Sequence, residues 1–293
     1  MKPLVSVITP TFNCRNYVEE AIASVQSQTY DNWELVIVDD CSEDHTFELV
    51  QRVAQNEPRI RLFRHEIRKG AGPARTRALE EAKGRFIAYL DADDIWYPRK
   101  LEVQVNFMIE NCCGFSCTSY EVISDSGKRM NKSVHMLPRA GYLDYLTNNL
   151  LQTVGIMIDT DVVPKDLLRM PPLERRQDVA TWLQILKAGH INYGLPEVLA
   201  QYRRSKNSLS SNKFKAVRGI WTLYRDVEEL PLLFSYYCFA RYAVLAVWKR
   251  LYLNRMRRLD SPASSTIPSV SAAASEYHLR RLSDDPQVPH QRP

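Results

Sequence analysis

At 293 residues, with 45% hydrophobic and 25% charged side chains, the chain falls in the globular range and can form one catalytic-sized domain plus appendages. Its net charge of +5 is unevenly spread, since residues 241–258 hold six basic side chains and no acidic one. No zinc-finger, RRM or KH signature accompanies that run, so nucleic acid is excluded as the expected partner and an anionic membrane face is preferred. The six cysteines lack CxxC spacing, which favours reduced structural thiols over a zinc site. Without a basic, apolar and small-residue leader pattern, the chain is expected to stay in the cytosol.

Strand-like runs alternate with helical patterns through the first hundred residues, which predicts strand-helix-strand units and a largely parallel sheet. Residues 4–8 read as a strand. Asn16 and Glu19 form a candidate capping pair for a helix over 17–28, in which Val18, Ala21, Ile22 and Val25 recur at helical spacing. A strand over 35–38 ends on Asp39-Asp40. A helix over 44–54, a strand over 60–63, a helix over 73–82 and a strand over 85–90 follow. Leu101, Val105, Met108 and Ile109 mark another helix. Short strands are expected at 115–119 and 154–158, with a tight turn at Asp125-Ser126-Gly127-Lys128. A helix over 178–188 precedes a strand over 199–203, and from residue 259 onward the composition predicts disorder.

Three carboxylates, Asp91, Asp93 and Asp94, stand where the apolar run Phe86-Ile87-Ala88-Tyr89-Leu90 ends. Bare neighbouring carboxylates repel, and a hard divalent cation relieves the repulsion. Magnesium and manganese favour one or two carboxylates plus substrate phosphates, which hints at a diphosphate ligand. An acidic turn capping the helix near Pro98 is the plain alternative. Asp39-Asp40 suits recognition of a base or ribose, or else a helix N-cap. The loop Gly70-Ala71-Gly72-Pro73-Ala74-Arg75 opens a helix whose free N–H groups, with Arg75, could meet phosphate.

The order of these motifs resembles family 2 glycosyltransferases with the GT-A fold, over residues 3–210. The resemblance rests on Val5-Ser6-Val7-Ile8-Thr9-Pro10-Thr11-Phe12-Asn13, Ala23-Ser24-Val25-Gln26-Ser27-Gln28-Thr29-Tyr30, Val36-Ile37-Val38-Asp39-Asp40-Cys41-Ser42, the loop over 70–77, and Gly84-Arg85 leading into the acidic run. Small bacterial enzymes of teichuronic acid, capsule and O-antigen pathways are the most similar subgroup, extending into Ser211-Asn212-Lys213-Phe214-Lys215.

The resemblance implies an α/β fold: a single GT-A, Rossmann-like catalytic domain with a mixed sheet. Residues 1–110 would form the nucleotide-sugar half and 111–215 the acceptor half, followed by a helical segment over 216–258 and a disordered tail over 259–293. Pro10, Phe12 and Asp40 match positions that hold the nucleobase and ribose, with Phe12 stacking on the base. Arg75 matches a position near the donor diphosphate. Asp93 corresponds to the ribose-side carboxylate and Asp94 to the metal-side one, though the family motif also permits Asp91 with Asp93, so all three are metal candidates for Mn2+ or Mg2+. Asp178 matches the catalytic base, with Gln177 where the family usually has an acid, and an N-cap is its structural alternative. Trp182 could line the acceptor cleft or sit in the core, and Arg203 and Arg204 could approach the donor phosphates or form a solvated pair.

The implied activity is inverting transfer from a nucleotide sugar, with UDP expected and GDP and dTDP open, onto a lipid-linked acceptor of a bacterial surface polysaccharide. A nucleotidyltransferase and an inactive nucleotide-sugar-binding subunit are the alternatives. Residues 232–253 are apolar and aromatic, but Arg241 near the centre makes them a poor membrane span. They read as an interfacial helix, with tyrosines and Trp248 at headgroup depth, that would hold the enzyme on the inner face of the membrane; a core helix is the alternative.

Overall fold

The computed structural model describes residues 2–148, 151–173, 175–204 and 213–256, with the backbone alone for 213–217 and 246–256. The tail over 259–293, for which disorder is expected, lies outside the described residues.

The first hundred residues fold as their pattern dictates. β1 (Val5–Thr11), α1 (Val18–Gln26), β2 (Trp33–Asp39), α2 (Thr46–Asn56), β3 (Ile60–Arg64), α3 (Ala71–Glu81) and β4 (Phe86–Tyr89) alternate without interruption. β2 and β4 are buried at every position and β1 at all but one, which is why they read as continuous apolar runs. The four strands pair in parallel in the order β3-β2-β1-β4. Gly84 lets β4 approach β1 at its start, because a Cβ there would lie 2.6 Å from the Ser6 nitrogen.

Beyond β4 the sheet becomes mixed. β5 (Ile95–Trp96), α4 (Lys100–Glu110), β6 (Phe115–Ser124), β7 (Arg129–Val134), β8 (Arg139–Ala140), α5 (Tyr142–Thr147), β9 (Ile156–Asp159), α6 (Gln177–Lys187) and β10 (Asn192–Arg204) complete it. β9 lies antiparallel between β4 and β6, β10 runs parallel to β6, and β5 closes the row on β10. β5, β8 and α5 have no counterpart in the sequence reading, and β7 is the extended segment that follows the expected turn at 125–128. Two are two-residue strands, and β7 is exposed along most of its length, so none presents a clear apolar period.

Three local expectations are corrected. Asn16 does not cap α1, whose N-cap is Tyr17 without a side-chain bond; the Cys14 carbonyl takes the Tyr17 and Val18 N–H groups instead. Neither Asp39 nor Asp40 caps α2, whose N-cap is His45. The acidic run does not cap α4, because β5 intervenes and Arg99 is the N-cap.

α4 buries one charge for packing. Lys100 is 0% exposed, its Nζ lies 3.7 Å from the Trp96 ring centroid, and it finds no hydrogen-bond acceptor among the described residues. Burial pulls its pKa well below 10.5. The unfolded chain therefore binds a proton that the native state does not, a cost that vanishes above that value and grows as pH falls below it. Lys100→Met is expected to raise stability at pH 7 by about 1–2 kcal/mol, with a smaller gain at pH 10. Urea unfolding at both pH values checks this; a loss at pH 7 would show that the amine has a partner.

Past β10, α7 (Lys213–Thr222) runs into a π-helical turn (Leu223–Val227), and α8 (Leu232–Met256) follows. α8 packs on the body through Ser235 and Cys238, both 0% exposed. Its other face presents Leu233 (83% exposed), Tyr236, Tyr237 and Val244. Trp248 lies where only the backbone is described.

Candidate active site

Ligands of such sheets collect at the carboxyl ends of the strands, where the strand order reverses. Here that point lies between β1 and β4, and the expected residues gather around it. Pro10 and Phe12 end β1, Asp40 follows β2, and Asp91 to Asp94 follow β4.

The acidic turn closes through the Asp94 N–H bonding the Asp91 carbonyl at 3.0 Å. Its three carboxylates have different surroundings. Asp91 is ion-paired with Arg75 Nη2. Asp94, 1% exposed, accepts the Arg203 main-chain N–H at 2.8 Å. Burial, then the charge of Asp91, pushes Asp93 up to about 6, and burial followed by Asp93 and Asp91 pushes Asp94 well above its ordinary value. No group of three or more His, Cys, Asp and Glu side chains among the described residues comes together to hold a metal. Asp91 is ion-paired with an arginine, which leaves Asp93 and Asp94 as the mutually repelling pair among the three candidates. Two desolvated, mutually repelling oxygen donors fit a hard divalent ion that draws its other ligands from phosphate and water.

Arg75 is buried. It is 6% exposed, its Nη1 meets the Met170 sulfur at 3.9 Å, and its Nε has no partner among the described residues. Burial would lower its pKa, but Asp91 and then Asp178 hold it above its usual value. Arg75 is thus a buried cation paired with Asp91 and within electrostatic reach of Asp178. Two N–H groups of the Gly70 loop are likewise engaged, since Lys69 and Gly70 donate to Asp40 at 2.8 and 2.7 Å.

Asp40 is 2% exposed and also pairs with His65 Nδ1 at 2.8 Å. It thereby orders the loop that carries Arg68, whose guanidinium lies 3.9 Å from the centroid of the Phe12 ring. His65 and Arg68 were not singled out from sequence. No local motif marks them, and only the parallel pairing of β2 with β3 brings residue 65 beside residue 40.

Asp178 enters from the other half of the sheet. Arg176, in the left-handed region at φ 60°, turns the chain into α6, so Asp178 sits in the first turn and is not the N-cap. Its Oδ2 accepts the Thr153 hydroxyl at 3.2 Å. The first turns of α3 and α6 touch at Gly72, where a Cβ would lie 3.1 Å from the Pro171 carbonyl and 3.2 Å from Gln177 Cγ. That close approach brings Arg75 within electrostatic reach of Asp178. Gln177 is 8% exposed and its Oε1 finds no donor among the described residues, so a glutamate there would bury a further charge.

Trp182 takes the core alternative, and the two arginines differ in burial. Trp182 is 0% exposed, edge-on to Tyr89 at 5.1 Å and near Phe115 at 5.9 Å, so it is a core residue beneath the site. Arg203 is 3% exposed and fully engaged by protein groups, whereas Arg204 is exposed.

Comparisons with known proteins agree with this architecture. The profile of Glycosyl transferase family 2 matches residues 6–163. The putative teichuronic acid biosynthesis glycosyltransferase TuaG of Bacillus subtilis is 44% identical over 250 residues, covering 85% of this chain and 98% of that protein. The Escherichia coli UDP-Glc:alpha-D-GlcNAc-diphosphoundecaprenol beta-1,3-glucosyltransferase WfgD is 38% identical over 255 residues, covering 85% and 96%. Among solved structures, S. aureus TarS in complex with UDP superposes with a TM-score of 0.60 at 21% identity, over 82% of this chain and 70% of that one. The mannosyltransferase PcManGT of Pyrobaculum calidifontis, in complex with GDP-Man and Mn2+, gives 0.62 at 18% identity, over 96% and 81%. Motif order, a half-parallel sheet with its acidic turn at the switch point, and near full-length relatives lead to one assignment: the chain belongs to glycosyl transferase family 2 and is a glycosyltransferase of GT-A fold.

Proposed function

We propose that the chain is an inverting, metal-dependent glycosyltransferase that moves a sugar from a nucleotide sugar, with UDP as the nucleotide, onto a lipid-linked acceptor of a bacterial surface polysaccharide. The observation that carries this reading is the buried Arg75, ion-paired with Asp91 and within electrostatic reach of Asp93 and Asp178, which joins the acidic turn after β4 to the first turn of α6. Relatives support the substrate classes: TuaG is named for teichuronic acid and WfgD for UDP-Glc and a diphosphoundecaprenol-linked acceptor.

In this reading Phe12, now covered by Arg68, stacks on the nucleobase beside Pro10, and Asp40 with its ordered loop shapes the edge that reads base and ribose. Mn2+ or Mg2+ held by Asp93 and Asp94 would neutralise the diphosphate leaving group. Arg204, which is exposed, is the candidate contact for phosphate or acceptor. Asp178 Oδ takes the proton of the acceptor hydroxyl as it attacks the anomeric carbon, and the Thr153 hydroxyl orients that carboxylate. A single displacement inverts the configuration. Incubation with UDP-sugars, Mn2+ and a diphospholipid-linked sugar tests this directly: EDTA-sensitive transfer with inverted product is expected, and transfer that persists in EDTA would remove the metal.

Membrane seating belongs to the same proposal. No helix among the described residues is long and apolar enough to cross a membrane. The exposed apolar face of α8, with a chain end rich in basic residues, suits peripheral binding to anionic lipid. Leu233→Glu with Val244→Glu, two exposed positions, is expected to lower binding to phosphatidylglycerol vesicles by about tenfold or more. Unchanged cosedimentation would argue for a different contact surface.

A further inference from the structure

Arg203 is a buried cation that the mechanism above does not use. Its side chain is 2% exposed. Nε donates to the Asp93 carbonyl at 2.7 Å, Nη1 donates to the Asp125 carbonyl at 3.0 Å, and Nη2 pairs with Glu20. The guanidinium lies 4.9 Å from the Tyr17 ring centroid, and the Tyr17 hydroxyl donates to Asp125 Oδ1 at 2.8 Å. The main-chain N–H of the same residue holds Asp94 Oδ1 at 2.8 Å. One residue at the end of β10 therefore ties together α1, the acidic turn and the turn between β6 and β7.

The sheet puts it there. The antiparallel ladder that pairs Ala200 with Trp96 and Gln201 with Ile95, carried two residues further, sets residue 203 opposite residue 93. The guanidinium is a planar fork that meets acceptors in several fixed directions at once, which a lysine ammonium on a flexible stem does not reproduce. Gripping the peptide oxygen of Asp93 and the carboxylate of Asp94 from one residue fixes how the two carboxylates are spaced.

We infer that Arg203 is a positioning residue that presets the Asp93 and Asp94 carboxylates for the divalent cation, rather than a contact for donor phosphate. This rests on the metal reading proposed above. Partners that orient ligating groups are worth about 10–100-fold in metal affinity. The main-chain bond to Asp94 survives any substitution at 203, so the loss is expected to be partial.

The test titrates Mn2+ into the full chain with UDP present, by calorimetry, for the wild type, Arg203→Ala, Arg203→Lys and Glu20→Gln. Arg203→Ala is expected to weaken Mn2+ by about 10–100-fold, Arg203→Lys to recover part of that, and Glu20→Gln to lose least. At saturating Mn2+, the KM for the nucleotide sugar should stay within about twofold of wild type, because the donor is not touched. Wild-type Mn2+ affinity in Arg203→Ala with a KM raised more than about tenfold would instead make Arg203 a phosphate contact and overturn the inference. If Arg203→Ala does not fold, unaltered Mn2+ affinity in both Arg203→Lys and Glu20→Gln overturns it equally. UDP binding to the wild type that is indifferent to EDTA would overturn the metal reading itself, before any variant is made.

Discussion

Asp178→Asn is expected to lower sugar transfer by about 10²–10⁴-fold while leaving nucleotide-sugar affinity within about twofold of wild type. The amide keeps an oxygen where Oδ2 accepts the Thr153 hydroxyl, so the first turn of α6 should hold its place. What the amide lacks is basicity. The attacking acceptor hydroxyl then has no base on the enzyme to take its proton, and kcat falls without a matching change in donor binding. Calorimetry for the donor and a radiolabelled transfer assay separate the two quantities. Full activity in the variant would remove Asp178 as the base, and a parallel fall in donor affinity would recast it as a binding residue.

Asp94→Asn should also abolish transfer, by a factor of about 10³, yet make the metal-free protein more stable. The asparagine oxygen can still accept the Arg203 N–H, and the change removes one of two buried carboxylates that repel each other. The sign follows from the raised values. Between the ordinary value of 3.8 and about 6 the folded protein binds protons at Asp93 that the unfolded chain does not, so metal-free stability falls as pH rises through that window. Relief of the repulsion is expected to contribute on the order of 2 kcal/mol, a few degrees in Tm at pH 7.5. Mn2+ should stabilise the wild type more at pH 7.5 than at pH 5, where the proton competes with it, and should no longer stabilise Asp94→Asn. A lower Tm for the variant without metal would mean that the charge is already balanced by protein groups.

Most of the first hundred residues were legible because β1, β2 and β4 are buried almost throughout and α1 and α2 bury one face. The second half was less so. β5 and β8 are two residues long and β7 is largely exposed, and the tertiary pairing of β5 with β10 assigns structure to Ile95-Trp96 that two residues cannot announce. The roles of the charged residues were the least legible part. Arg75, Arg203 and Asp91 are each chemically suited to phosphate or metal, and only the fold shows that two are internal cations and that the third is neutralised. Trp182 shows the same limit, since an aromatic at helical spacing looks alike whether it lines a cleft or fills the core beneath one.

By itself the sequence determined the family, the order of the parallel strands' apolar runs and the positions from which carboxylates could act, because motif order and hydrophobic period are local properties of the chain. Tertiary structure alone decided which charges are relieved. Asp91 meets Arg75 because α3 packs on the sheet that ends in the acidic turn, and the Arg203 main-chain N–H reaches Asp94 through the β5–β10 ladder while Asp93 and Asp94 still repel each other. Charge neutralisation depends on distances of a few ångströms between residues about 16 and 109 positions apart, and on burial that strengthens those interactions, and neither is encoded in local spacing.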